Sequence, residues 1–305
     1  MHLRQGMGTC AICGAPTRQG VMPWLLRCRR CRFQQSTLAQ RIGSVEAHDA
    51  LDERARADAL GPLRARNFRA VLDLLERIRG GRRTLLDVGC AHGWFLRAAA
   101  DAGWQATGIE PDARVAAVAL AAAHDVRVGT FPEILREGER FDVVTFHDAF
   151  EHLADVNAAL ESVRRHLTAD GILLINLPDA RGIFYRLAHA LARIGVTGPL
   201  ARLWQRDFPS PHLSYFTGPL LRRLAANHHF RSLCSAQLPA VAARGLWSRL
   251  RYDRSAGLPA SALAFVATCA LLPALRALPS DISVEVFQLR SDSAAEEADA
   301  TRSEP

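Results

Sequence analysis

Hydrophobic and polar positions follow two periods along this chain. From Asn67 to Arg79, Phe68, Val71, Leu72, Leu75 and Ile78 recur at helical spacing, and Gly80 and Gly81 end the run. Short apolar stretches and helical patterns then alternate. They are strand TLLDV (84–88), a helix from His92, a strand near Gln105–Ile109, a helix over Asp112–Ala123 and a short strand at Val126–Val128. Strand FDVVTF (141–146), helix Asp155–Leu167 and strand GILLIN (171–176) continue the series. Strands this apolar, separated by helices, are buried on both faces and pair in parallel through crossovers, so the pattern predicts a doubly wound α/β sheet. An aromatic-rich helical insertion follows from Gly182 to about Phe208, then a helix begun at Thr217. Two last strands, Phe230–Leu238 and Ser283–Leu289, flank an apolar helical stretch.

Residues 1–36 read differently, as loops and short strands around paired cysteines, too small to fold on apolar burial alone. Cys10-x-x-Cys13 and Cys28-x-x-Cys31, with fourteen residues between the pairs, have the spacing of a zinc ribbon. Four thiolates close a tetrahedral site, so the zinc is expected to be structural; a redox pair is the alternative. The chain divides into this module (1–36), a helical linker (37–64), an α/β domain (65–290) with its insertion at 180–211, and a polar tail (291–305) expected to be disordered.

Composition narrows the class. The 305 residues are 49% hydrophobic and 23% charged, enough to bury a substantial core. Cys90, Cys234 and Cys269 are scattered singly, unlike a disulfide framework, and MHLRQGMGTC lacks an apolar export segment, so a cytoplasmic location is expected. The net charge of +7 rests on arginine alone, and the arginines are spread along the chain rather than clustered, which disfavours nucleic acid as the partner. Ser255–Leu275 carries no charge but holds Pro259 and Pro273, favouring a buried or interfacial helix over a membrane span.

The chemistry concentrates after the first α/β strand. LLDVGCAHGWF (85–95) places an apolar strand, an acid and a glycine loop directly before a helix. A dinucleotide fingerprint would need glycine at positions 91 and 94, where Ala91 and Trp94 stand, so NAD is disfavoured. The run resembles motif I of class I S-adenosylmethionine-dependent methyltransferases. That resemblance implies a Rossmann-like doubly wound sheet, mostly parallel with a C-terminal antiparallel strand, and S-adenosylmethionine as cofactor. Asp87 would sit near the cofactor's ammonium, and Gly89, Cys90, Ala91 and Gly93 near its carboxylate and ribose. Glu110, ending the next strand, would accept from both ribose hydroxyls beside Pro111, and Thr130 and Phe131 would border the adenine.

FDVVTFHDAFEHLADV (141–156), LTADGILLINLPD (167–179) and SPHLSYFTGPLLRRLAANHHF (210–230) are similar to later segments of a methyltransferase subgroup. It includes the ubiquinone O-methyltransferases and many polysaccharide-cluster enzymes. The resemblance implies that His152 faces the acceptor and serves as base, oriented by Glu151, with His212, Tyr215 and Phe216 closing over the acceptor or, alternatively, packing the core. His147 is a candidate for the cofactor pocket, a structural role being the other reading. In the ubiquinone enzymes this loop is implicated in divalent-metal binding, and the matching positions here are Asp148, Glu151 and His152. The acceptor expected is a small molecule, sugar or lipid-linked glycan, methylated at oxygen, with Arg181, Arg186 and Arg206 available to phosphate and peripheral contact with the inner membrane surface. A nucleic-acid-binding protein led by the ribbon is the competing reading.

Overall fold

The computed structural model describes residues 8–42, 53–81, 83–242, 245–251 and 258–290. The tail at 291–305 and part of the expected linker lie outside them. Seven strands form the central sheet: β4 (Thr84–Val88), β5 (Gln105–Glu110), β6 (Asp125–Val128), β7 (Phe141–His147), β8 (Leu167–Pro178), β10 (Phe230–Leu238) and β11 (Ile282–Leu289). Their order is β10-β11-β8-β7-β4-β5-β6. All neighbours pair in parallel except β11, which runs antiparallel to both β8 and β10. The predicted sheet, with its one reversed C-terminal strand, is therefore present.

Period-two alternation sends each strand's side chains to two apolar layers. On one face α1 (Glu53–Arg79) and α2 (Trp94–Asp101) lay Phe68, Val71, Leu75, Phe95 and Ala99 on Leu85, Val143, Leu174 and Val286. On the other, α4 (Val156–His166) and α7 (Gly218–Asn227) cover Leu86, Val144, Phe146 and Ile175 with Leu160, Val163, Leu221 and Leu224. The acids that open two helical patterns act as caps. Asp112 accepts from Arg114 and Val115 N–H ahead of α3 (Ala113–Ala121), and Asp155 from Asn157 and Ala158 N–H ahead of α4. Helix α1 runs unbroken from Glu53, so the helical signal at Asn67 is its second half.

The cysteine module is a hairpin, β1 (Thr17–Gln19) and β2 (Leu25–Cys28), extended by β3 (Gln34–Ser36). A fourth strand comes from far along the chain: β9 (Ser214–Tyr215) pairs antiparallel with β3, Gln34 opposite Tyr215. The module also shares the main core, for Cys10, Ile12, Cys28 and Phe33 belong to the same apolar cluster as Phe146, Phe150 and Phe216. A second cluster joins Met22 and Leu25 to Tyr215 of β9 and to Tyr185, Ala188 and Trp204 of the insertion, whose helices are α5 (Ile183–Arg193) and α6 (Gly198–Leu203). Asp281, just before β11, caps α5 by accepting from Phe184 and Tyr185 N–H, and a Cβ at Gly182 would come within 2.3 Å of its Oδ1.

Helix α9 (Leu258–Arg276) contacts α8 (Leu246–Arg251), which in turn contacts α1. Its Leu258, Val266 and Leu271 are exposed, so of the two expected settings, buried or interfacial, burial is excluded at those positions. Among the described residues no helix is long and apolar enough to cross a membrane.

Candidate active site

Strand β4 carries Asp87 to the carboxyl edge of the sheet, where it is buried. Thr145 Oγ1 on the adjacent β7 donates to its Oδ1 at 2.9 Å. Burial, with the charge of Glu110 adding, raises the Asp87 carboxyl to about 7 despite that bond. The loop beyond turns on left-handed residues, Gly89 at φ 76° and Gly93 at φ 75°. A Cβ on Gly89 would stand 2.7 Å from Ala149 Cβ, and one on Gly93 2.7 Å from Ala119 Cβ, so both glycines are required by space as well as by backbone. Gly89 and Cys90 N–H both donate to the Ile109 carbonyl, at 2.8 and 3.0 Å. Glu110, ending β5, accepts from Ala91 N–H and, across Pro111, from Asp112 N–H, each at 3.0 Å. The acid predicted from the second strand thus braces the loop predicted from the first.

The remaining expected pocket residues fall around this crevice unevenly. Thr130 is exposed beyond β6, and Phe131 meets Phe146 edge-on at 5.6 Å. His147, closing β7, is buried between Phe68 and Phe95 with ring centroids 5.2 and 4.0 Å away, and its Nδ1 lies 3.4 Å from the Asn176 amide. Burial, then Arg64, lowers its pKa to about 3, so the ring is neutral. Its Nε2 and Asn176 Oδ1 are buried without a hydrogen-bond partner among the described residues.

A second constellation forms where β7 gives way to a single 3-10 turn, Phe150–His152. Glu151, His152 and His212 each bring one ligand-type atom to within 4.8 Å of the others. His152 Nδ1 lies 3.0 Å from the Pro211 carbonyl, which fixes the proton there and leaves Nε2 as the basic nitrogen. His212 is deeper: Gln205 Nε2 stands 2.9 Å from its Nε2, and burial, then His152, holds its pKa well below the usual histidine range. Glu151 is 1% exposed, and burial, then Asp148, raises its carboxyl well above the usual range. Burial thus disfavours the charged form of both, which accords with His212 Nε2 standing 3.9 Å from Glu151 Oε1 rather than closing on it.

One expectation is corrected here, and one open alternative is decided in favour of core packing. Asp148 does not join Glu151 and His152; its backbone is left-handed at φ 52° and its carboxylate turns to Arg64 on α1, at 3.5 Å. The cluster that forms instead has one carboxylate and two imidazoles, a set suited to a transition metal more than to Mg²⁺. Tyr215 and Phe216 form no lid. Phe216 is fully buried against Phe33 and Phe150, and Tyr215 packs on Tyr185 and Trp204. Arg64 and Gln205, unmarked in the sequence analysis, enter only because α1 and the insertion fold over the strand ends.

The four module cysteines fit the expected zinc. Sγ atoms of Cys10 and Cys31, and of Cys13 and Cys28, are 3.5 Å apart, and all four lie within 4.8 Å of one another. A tetrahedral site with Zn–S of about 2.3 Å needs edges of about 3.8 Å. Arg30 and Cys31 N–H point at Cys28 Sγ, each at 3.4 Å. Burial opposes ionisation in the cage and pushes the Cys10 and Cys31 thiols up, whereas those N–H groups and the neighbouring thiols bring Cys28 down to about 6, so a metal would have to ionise Cys10 and Cys31 on binding.

A strand-edge crevice with an acid, a glycine loop and a second acid in register defines a class I methyltransferase fold. Residues 62–235 match the methyltransferase domain family, and the chain belongs to it. Among curated proteins, the ubiquinone biosynthesis O-methyltransferase of Azorhizobium caulinodans is 32% identical over 108 residues, 33% of this chain and 42% of that protein. The Paramagnetospirillum magneticum enzyme of the same name is 37% identical over 97 residues, 30% and 39% of the two chains. The chain therefore matches less than half the length of each. Among solved structures, a chain from the Haloferax volcanii complex of the Trm112 methyltransferase activator with a protein described as a methyltransferase superposes at a TM-score of 0.52, with 15% identity over 80% of this chain and 98% of that one. A Galdieria sulphuraria protein described as a sarcosine dimethylglycine methyltransferase gives 0.50, with 18% identity over 73% and 85%. These two likenesses establish the fold.

Proposed function

We propose that the chain transfers the methyl group of S-adenosylmethionine to an oxygen of a small-molecule, sugar or lipid-linked glycan acceptor. The observation that carries this reading is the convergence of Asp87, the left-handed Gly89–Gly93 loop and Glu110 at one strand edge. S-adenosylmethionine supplies, when bound, a methyl carbon activated by sulfonium. Asp87 would face the cofactor's ammonium as the charged acid, and Glu110, which accepts from Ala91 and Asp112 N–H, would accept from the ribose hydroxyls as well. Pro111, Thr130 and Phe131 would border the base, and His147 at the end of β7 would offer the pocket a neutral ring.

On the acceptor side His152 Nε2 takes the hydroxyl proton, because Pro211 already holds the proton on Nδ1. His212 packs edge-on against that ring at 4.7 Å and is fixed in turn by Gln205, while Glu151 lies beside them as the nearest carboxylate. Methylation at oxygen is supported by the ubiquinone O-methyltransferase relatives. Contact with the inner membrane surface is supported by exposed Leu187, Ile194 and Val196 at the end of α5, beside Arg193. Zinc in the four-cysteine cage is structural, holding the module in the core it shares with β7. Calorimetry with S-adenosylhomocysteine tests the central claim: saturable heat that disappears in Glu110→Ala is expected, and no heat with the intact chain overturns it.

A further inference from the structure

Between the cysteine module and the insertion lies a basic cleft. One cavity, about 710 Å³, is lined by Arg27, Arg32, Arg181 and Arg186 with Gln237 and Ser280. A second, about 320 Å³, brings Arg18 and Arg193 to the other side of Arg27, which lines both. Arg181 is engaged by Asp179, with Nη2 3.0 Å from Oδ2. Arg18, Arg27, Arg32, Arg186 and Arg193 form no ion pair among the described residues. The crowding is energetic as well as visual: burial, then Arg32, Arg18 and Arg193, pulls the Arg27 pKa down. The sequence expectation had Arg206 in this company, but Arg206 pairs with Asp207 and lines neither cavity.

The cleft lies on the edge of the sheet that holds the cofactor crevice. Asp179 and Arg181 directly follow β8, Gln237 stands near the end of β10, and Ser280 precedes antiparallel β11. Strand β8 is two places from β4 in the sheet and β10 four. Asp87 is level with Thr145 and through it with Leu174, and Asp179 stands five residues further along the chain, so at about 4.8 Å per strand and 3.3 Å per residue the cleft begins roughly 19 Å from Asp87. An acceptor that reaches both carries its charge at the end away from the methylated atom.

We propose that this cleft binds the diphosphate of the acceptor, Arg27 and Arg32 of the module clamping it from one side and Arg186 of the insertion from the other. Planar guanidinium groups match phosphate oxygens in pairs, and several unpaired ones around a concavity call for a ligand with more than one negative charge. A nucleic acid is the less fitting occupant. The cations line concavities of small-molecule size, and the nearby aromatics Trp24 and Tyr185 pack on Trp204 and Tyr215 instead of offering a face to bases. The inference rests on the methyltransferase reading for the word acceptor, but the anion site stands apart from it.

The test is calorimetry on the full zinc-loaded chain with inorganic pyrophosphate and uridine diphosphate, and flotation with vesicles containing a polyprenyl diphosphate. Saturable binding to at least one probe is expected, weakened tenfold or more in both Arg27→Ala and Arg186→Ala, while S-adenosylhomocysteine affinity stays unchanged. Arg27-dependent binding of uridine diphosphate alone assigns a soluble diphosphate source, and Arg27-dependent flotation alone a lipid-linked one. No binding to any probe, binding indifferent to both substitutions, or Arg27-dependent binding of RNA with none to the diphosphates overturns the proposal. If the diphosphates bind and S-adenosylhomocysteine does not, the methyl-transfer reading fails and the anion site remains.

Discussion

The two halves of the sheet's carboxyl edge are built by different means. On the cofactor side, β4 to β6, short connections and backbone hydrogen bonds do the holding: Ile109 carbonyl to two loop amides, Glu110 to two more, glycines wherever a Cβ would collide. On the acceptor side, beyond β7, the turn bearing Glu151 and His152 is held by partners distant in sequence. Gln40 Nε2 donates to the His152 carbonyl at 2.7 Å, Leu213 N–H to that of Glu151 at 2.9 Å, and Ser36 Oγ to that of His212 at 2.8 Å. One side is therefore locally encoded and the other depends on the module and the insertion staying docked.

The largest effect that separates the halves should come from metal removal. Structural zinc sites hold on the order of 10–16 kcal/mol of apparent binding free energy, so chelation or a Cys10→Ser, Cys31→Ser pair should unfold the module. Release of β3 from β9 then abolishes acceptor turnover, while S-adenosylhomocysteine binding persists in calorimetry. Loss of both together would show that the halves are not separable. Next, Phe216→Ala, which empties the contact between Phe33 and Phe150, should cost about 3–5 kcal/mol in denaturant unfolding.

Asp87→Asn tests the other half. A carboxyl raised from the ordinary range to about 7 in the folded chain binds a proton there that the unfolded chain has already released. Its stabilising share is full below pH 4, falls as pH rises to about 7 and is flat above. Without cofactor, Asp87→Asn should thus gain stability over the parent, on the order of 2–4 kcal/mol at pH 8 and nothing at pH 4, by thermal unfolding. With cofactor the sign reverses, because the ammonium favours the ionised acid: affinity for S-adenosylmethionine should rise with pH up to about 7 in the parent and be weak and pH-independent in the variant. The smallest effect expected is Tyr185→Phe, which removes a 2.9 Å bond to Gln34 Oε1 across the docking surface and should cost about 0.5–1.5 kcal/mol.

The same division governs what could be read from sequence. Strands buried on both faces announce themselves as apolar runs, and Asp112 and Asp155 mark the helix starts because a cap is chemically local. Asp87, Gly89, Gly93 and Glu110 were legible for the same reason. Strand β9 was not: two residues carry no alternation, and they are extended only because β3 pairs with them. Nor was the exchange of Asp148 for His212, since nothing near Asp148 in sequence points to Arg64. Tyr215 and Phe216 read as pocket aromatics until the module is seen to need a wall of the core.

The pairing of Gln34 with Tyr215 also sets a schedule for biosynthesis. The module leaves the ribosome first, yet its outer strand stays unmatched, and Leu25 and Phe33 uncovered, until a partner 181 positions downstream (215 − 34) has been made. At about 5–20 residues per second that interval is roughly 10–40 s. Nascent chains stalled before residue 214 should therefore display a sticky cysteine module, and recruit chaperones that the finished polypeptide no longer attracts.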